Sequence, residues 1–429
     1  MSAIVLEVLG ISSVLGTALA IVRVRRPGFA SFPIMMIGWL VGEFPLFHIA
    51  AQAVAAAILV AAGGFGDTAG HIGLGLLAVS WAGLWHVRSV SMLAGRSAEQ
   101  ALRAGLGADY REQLDTARVE RFRRGTDTRP TRRPLHNDPA GIRIVRDVAY
   151  GEDPERNVCD LYLPGPERGL AGPDRLAPVV LQIHGGAWIT GHKEQQGQPL
   201  LHRLAQVGII GVSINYRLGP THRFPEPIID VKRAIAWTKA HIADHGGDPE
   251  RIVLTGGSAG GHLAALAALT PNLAAFQPGF TDSDTTVAAC VPFYGPTDLA
   301  DRGGLRGRST SLESFLTARV MPSPLADDPA LWDLLSPISH VRPDAPPFFV
   351  IQGANDVLVW REEQRLFVDA LRAVSGAPVV YWEVPGAQHA FDTFNSRRSA
   401  AAVDAVERFV AWVDASAAER SVHGEESQR

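Results

Sequence analysis

Lysine is almost missing from this 429-residue chain: only Lys193, Lys232 and Lys239 occur, and the rest of the 40 basic residues are arginines. Cysteine is scarcer still. Cys159 and Cys290 stand far apart with no C-x-x-C or Cys/His spacing around them, which excludes a disulfide framework and a zinc module. An excess of charge of either sign is lacking too. The 40 basic and 44 acidic side chains leave a net charge of −4, and no basic tail or acidic run stands out, so the electrostatic footprint of a nucleic-acid partner is absent.

Charge is missing locally as well. Residues 1–95 carry only Glu7, Arg23, Arg25, Arg26, Glu43, Asp67 and Arg88, whereas the remainder has the mixture of a water-soluble domain. Ala3 to Val22 is a 20-residue run interrupted only by Glu7, the length a helix needs to cross a bilayer. Ile34 to Ala62 is long enough for one tilted span despite Glu43 and Pro45, and His71 to Val87 supplies a short third stretch. The arginines follow the first stretch rather than precede it, the reverse of a secretory leader. They also follow the third, as Arg88, Arg96 and Arg103, while the link Gly63 to Gly70 holds Asp67 and no basic residue. Arginine-rich short loops stay in the cytoplasm. The pattern therefore predicts a multi-pass cell-membrane protein with three spans, its N-terminus outside and its larger part cytoplasmic.

Residues 96–140 read as an amphipathic linker lying on the surface, rich in arginine around Leu102, Leu106, Leu114 and Val119. Over 141–415 apolar runs that suit buried parallel strands alternate with helical patterns: Val179 to His184, Ile209 to Asn215, Ile252 to Thr255, Ala288 to Phe293, Phe348 to Gln352 and Val379 to Val384. This rhythm predicts an α/β fold with a mostly parallel sheet, helices on both faces, and an antiparallel edge hairpin from Ile142 to Leu163. Residues 299–346 interrupt it as an insertion placed to cap the carboxyl ends of the strands, and 416–429 read as a flexible tail.

Gly256-Gly257-Ser258-Ala259-Gly260 follows the run Ile252 to Thr255 and opens an Ala/Leu-rich helix. A strand-to-helix turn this sharp excludes bulk beside the serine and pushes its hydroxyl into the open. His184-Gly185-Gly186-Ala187-Trp188 ends an earlier strand. Small residues there let backbone amides approach a negative oxygen, with Gly186 and Ala187 as donors, Gly185 shaping the turn, and Ala259 adding its own N–H. Serine is a poor nucleophile unless a histidine takes its proton and a carboxylate holds that histidine. His389 in Gly386-Ala-Gln-His-Ala-Phe follows the run Val379 to Val384, and Asp356 in Gly353-Ala-Asn-Asp follows Phe348 to Gln352, both in the order such a site requires. Asp298 and Asp392 compete for the acid's place. His241 and His245, four apart, suit pairing with a helix C-terminus better than metal binding, since no third ligand is in sight.

Taken together, these residues resemble the α/β-hydrolase serine esterases of the hormone-sensitive-lipase-like group. The likeness runs over about residues 142–415 through His184-Gly-Gly-Ala-Trp, Asn215-Tyr-Arg-Leu with Phe224-Pro, Gly256-Gly-Ser-Ala-Gly-Gly, Asp356 and His389. Within the group, Gly246-Gly-Asp-Pro to Ala267 and Gln388-His-Ala-Phe-Asp look most like actinobacterial carboxylesterases with an N-terminal membrane segment. The resemblance implies hydrolysis of small-molecule or lipid carboxylic esters without cofactor or metal: Ser258, Asp356 and His389 catalytic, Gly185, Gly186, Ala187 and Ala259 around the oxyanion. Two departures bear on substrate preference. Ala187 replaces a third glycine and Gly257 an acid found in many members. The same site would serve an arylformamidase-like amide hydrolase or an acyltransferase, and a non-catalytic binding module could keep the fold without the chemistry.

Overall fold

The computed structural model describes residues 1–24, 30–114, 120, 129–165, 176–306 and 311–426, the side chains of 130 and 417–426 excepted. Arg25, Arg26 and much of the arginine-rich part of the linker fall outside them. The chain opens with helices α1 (Ser2–Ile21), α2 (Ser31–Glu43), α3 (Pro45–Leu59), α4 (Thr68–Ser91) and α5 (Ala94–Leu106). Strands β1 (Ile142–Ala149), β2 (Val158–Pro164), β3 (Ala177–Ile183), β4 (Ile210–Ile214), β5 (Gly247–Gly257), β6 (Ala289–Phe293), β7 (Phe348–Gly353) and β8 (Val379–Val384) follow. They form one sheet in the order β1-β2-β4-β3-β5-β6-β7-β8. Only the β1–β2 and β2–β4 pairings are antiparallel, so the expected edge hairpin and parallel core both form.

The strand runs are apolar without a gap because both faces of the sheet are covered, and successive side chains go to opposite faces. Val179, Leu181 and Ile183 of β3 join one core, shared with Ile252 and Leu254 of β5 and Phe348 and Val350 of β7. Val180, Val253, Phe349 and Ile351 join the other. Covering helices are α6 (Gln198–Gln206), α7 (Glu226–His241), α8 (Ala259–Leu269), α11 (Arg361–Val374) and α12 (Arg397–Glu426). The insertion after β6 carries the short helices α9 (Ser311–Arg319) and α10 (Pro329–Leu334). It is tied down over the start of α8, where His262 Nε2 meets the Leu335 carbonyl at 2.8 Å, and over the loop after β4, where Arg223 donates to the Met321 carbonyl at 2.7 Å.

Three expectations change. The stretch Ile34 to Ala62 is not one span but breaks at Phe44 (φ −123°, ψ 46°), because proline cannot continue a helix and instead takes its first turn, here with Pro45 opening α3. Helix α2, at 13 residues, covers about 20 Å and is too short to cross a bilayer. Among the described residues Ser2–Ile21 and Pro45–Gly64 are the two helices both long and apolar enough to cross one. The start of the linker is not on the surface either. Ala94, Ala98 and Leu102, at helical spacing along α5, are buried in the core that holds β8 and α12. Glu99 gathers Arg103, Arg111 and Arg408 at 2.8, 2.6 and 3.0 Å, and the Tyr110 hydroxyl donates to it at 2.8 Å. Pattern alone could not separate a helix facing water from one whose polar stripe meets three arginines. Finally, the segment expected to be a tail from 416 continues α12 to Glu426.

Candidate active site

Strand β5 ends at Gly257 and α8 starts at Ala259, so Ser258 must turn the chain in a single residue. It does so at φ 57°, ψ −121°, a conformation that costs a non-glycine residue about 1–3 kcal/mol and needs surrounding structure to hold it. The Ser258 amide donates to the Phe293 carbonyl of β6 at 3.0 Å. Gly260 lets the turn close: a Cβ there would lie 2.0 Å from the Ile183 carbonyl oxygen.

The loop after β3 is also held in an uncommon shape. Gly186, Ala187 and Trp188 all have positive φ (119°, 53° and 60°), which turns successive peptide planes and lets the Gly186 carbonyl accept from Ile189 and Thr190. The Gly185 amide donates to Gln196 Oε1 at 2.6 Å. It is therefore spent on the loop's shape, whereas the amides of Gly186, Ala187 and Ala259 are committed to no acceptor among the described residues. His184 anchors the loop from beneath. Its ring stacks on Tyr216 at 4.4 Å, its Nδ1 meets the Gly185 carbonyl at 2.7 Å, and burial pushes it down to about 3, so it stays neutral and braces the loop.

Asp356 and His389 leave the carboxyl ends of β7 and β8 and meet. His389 Nδ1 lies 2.8 Å from Asp356 Oδ2, with both side chains buried. The Asp356 carboxylate is fixed before it reaches the ring: Oδ1 accepts from the amides of Leu358 (2.8 Å) and Val359 (3.0 Å), and Oδ2 also accepts from Gln352 Nε2 at 3.3 Å. The competing acids are engaged elsewhere. Asp298 Oδ2 accepts from the Gly303 amide at 3.2 Å, and Asp392 accepts from the Tyr294 hydroxyl. His241, the sequence's other candidate, stacks on Trp237 and sets its Nδ1 2.9 Å from the Trp237 carbonyl.

Two residues without a motif connect these parts. Gln196 takes the Gly185 amide on one side and donates to the Tyr294 hydroxyl at 3.2 Å on the other; Tyr294 passes its proton bond to Asp392 and packs 4.5 Å from the His389 ring. Burial holds the Tyr294 phenol far above its ordinary value, so it remains a donor. One chain of hydrogen bonds thus joins the amide loop, the floor of the serine turn and the histidine loop. Phe293-Tyr294-Gly295-Pro296 at the end of β6 was a usable signal for the tyrosine, whereas nothing around Gln196 marks it.

A hydroxyl on a strained turn, a histidine held by a buried carboxylate, and a small-residue loop with uncommitted amides all lie at the carboxyl ends of β5, β7, β8 and β3. Known proteins share this framework. The BD-FAE family matches residues 159–371. The probable carboxylic ester hydrolase LipM of Mycobacterium tuberculosis is 43% identical over 416 residues, covering 92% of this chain and 91% of its own. Esterase LipQ of the same organism is 38% identical over 87% of this chain and 83% of its own. The chain belongs to the α/β-hydrolase carboxylic ester hydrolases. A bifunctional GH43-CE protein of Bacteroides eggerthii is similar at 30% identity with a TM-score of 0.50 over 57% of this chain, which spans 35% of that larger structure. A truncated carbohydrate esterase from gut microbiota shares the fold at 23% identity, TM-score 0.52, over 62% of this chain and 96% of its own. In this hydrolase the N-terminal helices adjoin the loops that carry Asp356 and His389, a contact that no motif announces.

Proposed function

We propose that this esterase is a membrane-anchored serine carboxylesterase acting on acyl esters, with Ser258 as nucleophile, His389 as general base and acid, and Asp356 orienting the ring. The observation that carries the reading is the 2.8 Å contact between His389 Nδ1 and the buried, amide-fixed Asp356 at the same carboxyl end of the sheet as the strained Ser258 turn. With Nδ1 bonded to the carboxylate, the ring's other nitrogen is the one left to take the serine proton. Ser258 Oγ attacks the ester carbonyl, and the negative oxygen that forms is met by the amides of Gly186, Ala187 and Ala259. His389 returns the proton to the leaving alcohol, and water then releases the acyl group by the reverse sequence. Labelling with a fluorophosphonate and mapping the modified peptide tests nucleophile and activation together. Modification at Ser258 is expected; labelling elsewhere, with Ser258 unmodified, would end the assignment. Trying p-nitrophenyl esters of graded length beside N-formyl anilides separates ester from amide hydrolysis.

The anchor is proposed from α1 and the Pro45–Gly64 helix, with α4, 24 residues long but less apolar, as the third crossing. Ser2 Oγ donates to the Ala62 carbonyl at 3.1 Å, so the N-terminus and the turn after α3 share one end of the bundle. At the other end, Arg23 donates to the Asp356 carbonyl and Val90 lies against Gly386, beside the catalytic domain. Three crossings, with the middle one shortened to Pro45–Gly64, would put the arginine-bearing ends together in the cytoplasm. Single cysteines at Ser2, Thr68 and Ser416, in a background lacking Cys159 and Cys290, test this in intact cells with an impermeant maleimide. Labelling at Ser2 and Thr68 but not Ser416 is expected, and the reverse pattern would place the enzyme on the outer face.

A further inference from the structure

Helix α2 is too short to cross a membrane, yet it is docked along one face, and what it docks on is specific. Met35 and Trp39 are buried with Val357, and Leu358, Ala390 and Phe394 pack around them. Trp39 stacks on Phe394 with centroids 5.1 Å apart and planes at 12°. Val357 and Leu358 directly follow Asp356, and Ala390 directly follows His389. Gly38 brings the helix in closely enough that a Cβ would lie 3.2 Å from the side-chain nitrogen of Gln388, the residue before the histidine. Away from these contacts α2 shows Ile37 and Leu40, 45% and 39% exposed, and Phe32 at its start is 61% exposed.

The polar contacts of the neighbouring N-terminal segments converge on the same loops. Arg23, just past α1, donates through Nε to the backbone carbonyl of Asp356 at 3.2 Å and forms a two-pronged pair with Glu362 at 2.8 and 2.7 Å. Asn355 donates to the carbonyls of Ala20 and Ile21, both at 3.2 Å, occupying acceptors that the end of α1 leaves over. At the end of α2, the buried Arg398 joins two backbones and a carboxylate. It donates to the Gly42 carbonyl (2.8 Å), to Glu43 Oε1 (3.0 Å) and to the Pro385 carbonyl (2.8 Å) at the base of the histidine loop.

A bundle that served only to tether the enzyme could attach anywhere on its surface. This one makes its contacts on the residues adjoining Asp356 and His389, and its guanidinium reaches the aspartate's own carbonyl. We propose that Arg23 and the inner face of α2 are positioning elements of the catalytic site, which hold the acid and histidine loops in register so that turnover depends on the docked N-terminal helices. This deepens the serine-esterase reading above and rests on it. Arg23 touches no reacting atom. It acts through the Asp356 backbone, whose carboxylate in turn sets the His389 ring.

The test uses the full chain in detergent or nanodiscs, a soluble p-nitrophenyl butyrate substrate, and rates normalised to sites titrated with fluorophosphonate. Arg23→Ala and Trp39→Ala should each lower kcat by about 10- to 100-fold with KM changed less than about twofold, the size of loss that a displacement near 1 Å produces. Arg23→Lys, which keeps a donor for the Asp356 carbonyl, should recover part of that loss. Thr17→Val breaks the 2.9 Å bond between Thr17 and Ser80 inside the bundle without touching the loops, and should leave kcat unchanged. Should Arg23→Ala fail to fold, Glu362→Gln weakens the same clamp and should lower kcat in the same direction. Wild-type kcat per titrated site in Arg23→Ala and Trp39→Ala, or equal losses in Thr17→Val, would overturn the proposal. The underlying reading fails separately: Ser258→Ala would then remain active.

Discussion

The N-terminal bundle and the catalytic sheet use the same apolar residue types for opposite ends. In the sheet every residue of β3, β4, β6 and β7 is buried, because helices cover both faces. In the bundle Ile4, Val8, Leu15, Val54, Ile58, Val79 and Trp85 are each 58% or more exposed, while small residues such as Gly10, Gly73 and Ala56 form the contacts inside. At Gly73 a Cβ would stand 2.6 Å from the Leu6 backbone. Close backbone approach through small residues with large apolar ones turned outward suits the membrane anchor proposed above. The sheet carries chemistry on a core excluded from solvent, and the bundle presents to its surroundings what the sheet hides.

The largest effects should separate the two regions cleanly. Ser258→Ala should lower kcat by about 10⁶-fold while leaving the thermal transition in place, because in the proposed mechanism the serine hydroxyl makes the covalent step. Asp356→Asn should cost about 10⁴-fold by favouring the wrong imidazole tautomer, against only a few-fold for Asp298→Asn. Steady-state assays of the three variants check this ranking, and a larger loss in Asp298→Asn would reassign the acid.

A smaller effect should appear in the sheet domain through pH. Burial holds His184 at about 3 and His262 at about 4. Unfolded, both take up protons near 6.5, so the unfolded state binds more protons as pH falls below that value. Their contribution to stability is complete above about 6.5 and is lost progressively toward 3, with on the order of 5 kcal/mol of it lost between about pH 7 and about pH 4.5. Urea midpoints by tryptophan fluorescence at pH 7, 5.5 and 4.5 should fall in that order, and a flat profile would contradict the burial of these rings.

The smallest expected effect lies where the regions join. Glu99→Gln should weaken the docking of α5 on β8 and α12 by about 1–3 kcal/mol, since the buried Arg408 and the half-buried Arg111 lose a charged acceptor. A lower melting temperature with kcat per titrated site unchanged is the expected reading. A loss of kcat equal to that of Arg23→Ala would extend the positioning role beyond the loops that α2 touches.

Some features of this protein follow from the sequence alone. Strand positions were legible because a short, largely apolar run needs only the local order of residues, as in Val179 to Ile183 and Val379 to Val384. The serine turn was legible because Gly256, Gly257, Gly260 and Gly261 report steric crowding at fixed spacing. Which aspartate serves His389 was not. Its place after the strand favoured Asp356 while Asp298 and Asp392 still competed, and the contact with His389 appears only where two loops 33 residues apart meet. Gln196 stayed hidden for the same reason, as did Arg23, whose contact with Asp356 spans 333 residues. Local periodicity records which side of an element is apolar, not what that side will touch. Pro45 as a helix breaker was written in the sequence. That the short helix before it would lie on the catalytic loops, and that α5 would leave the surface for the core, depended on distant side chains of matching shape and charge, which only the folded chain brings together.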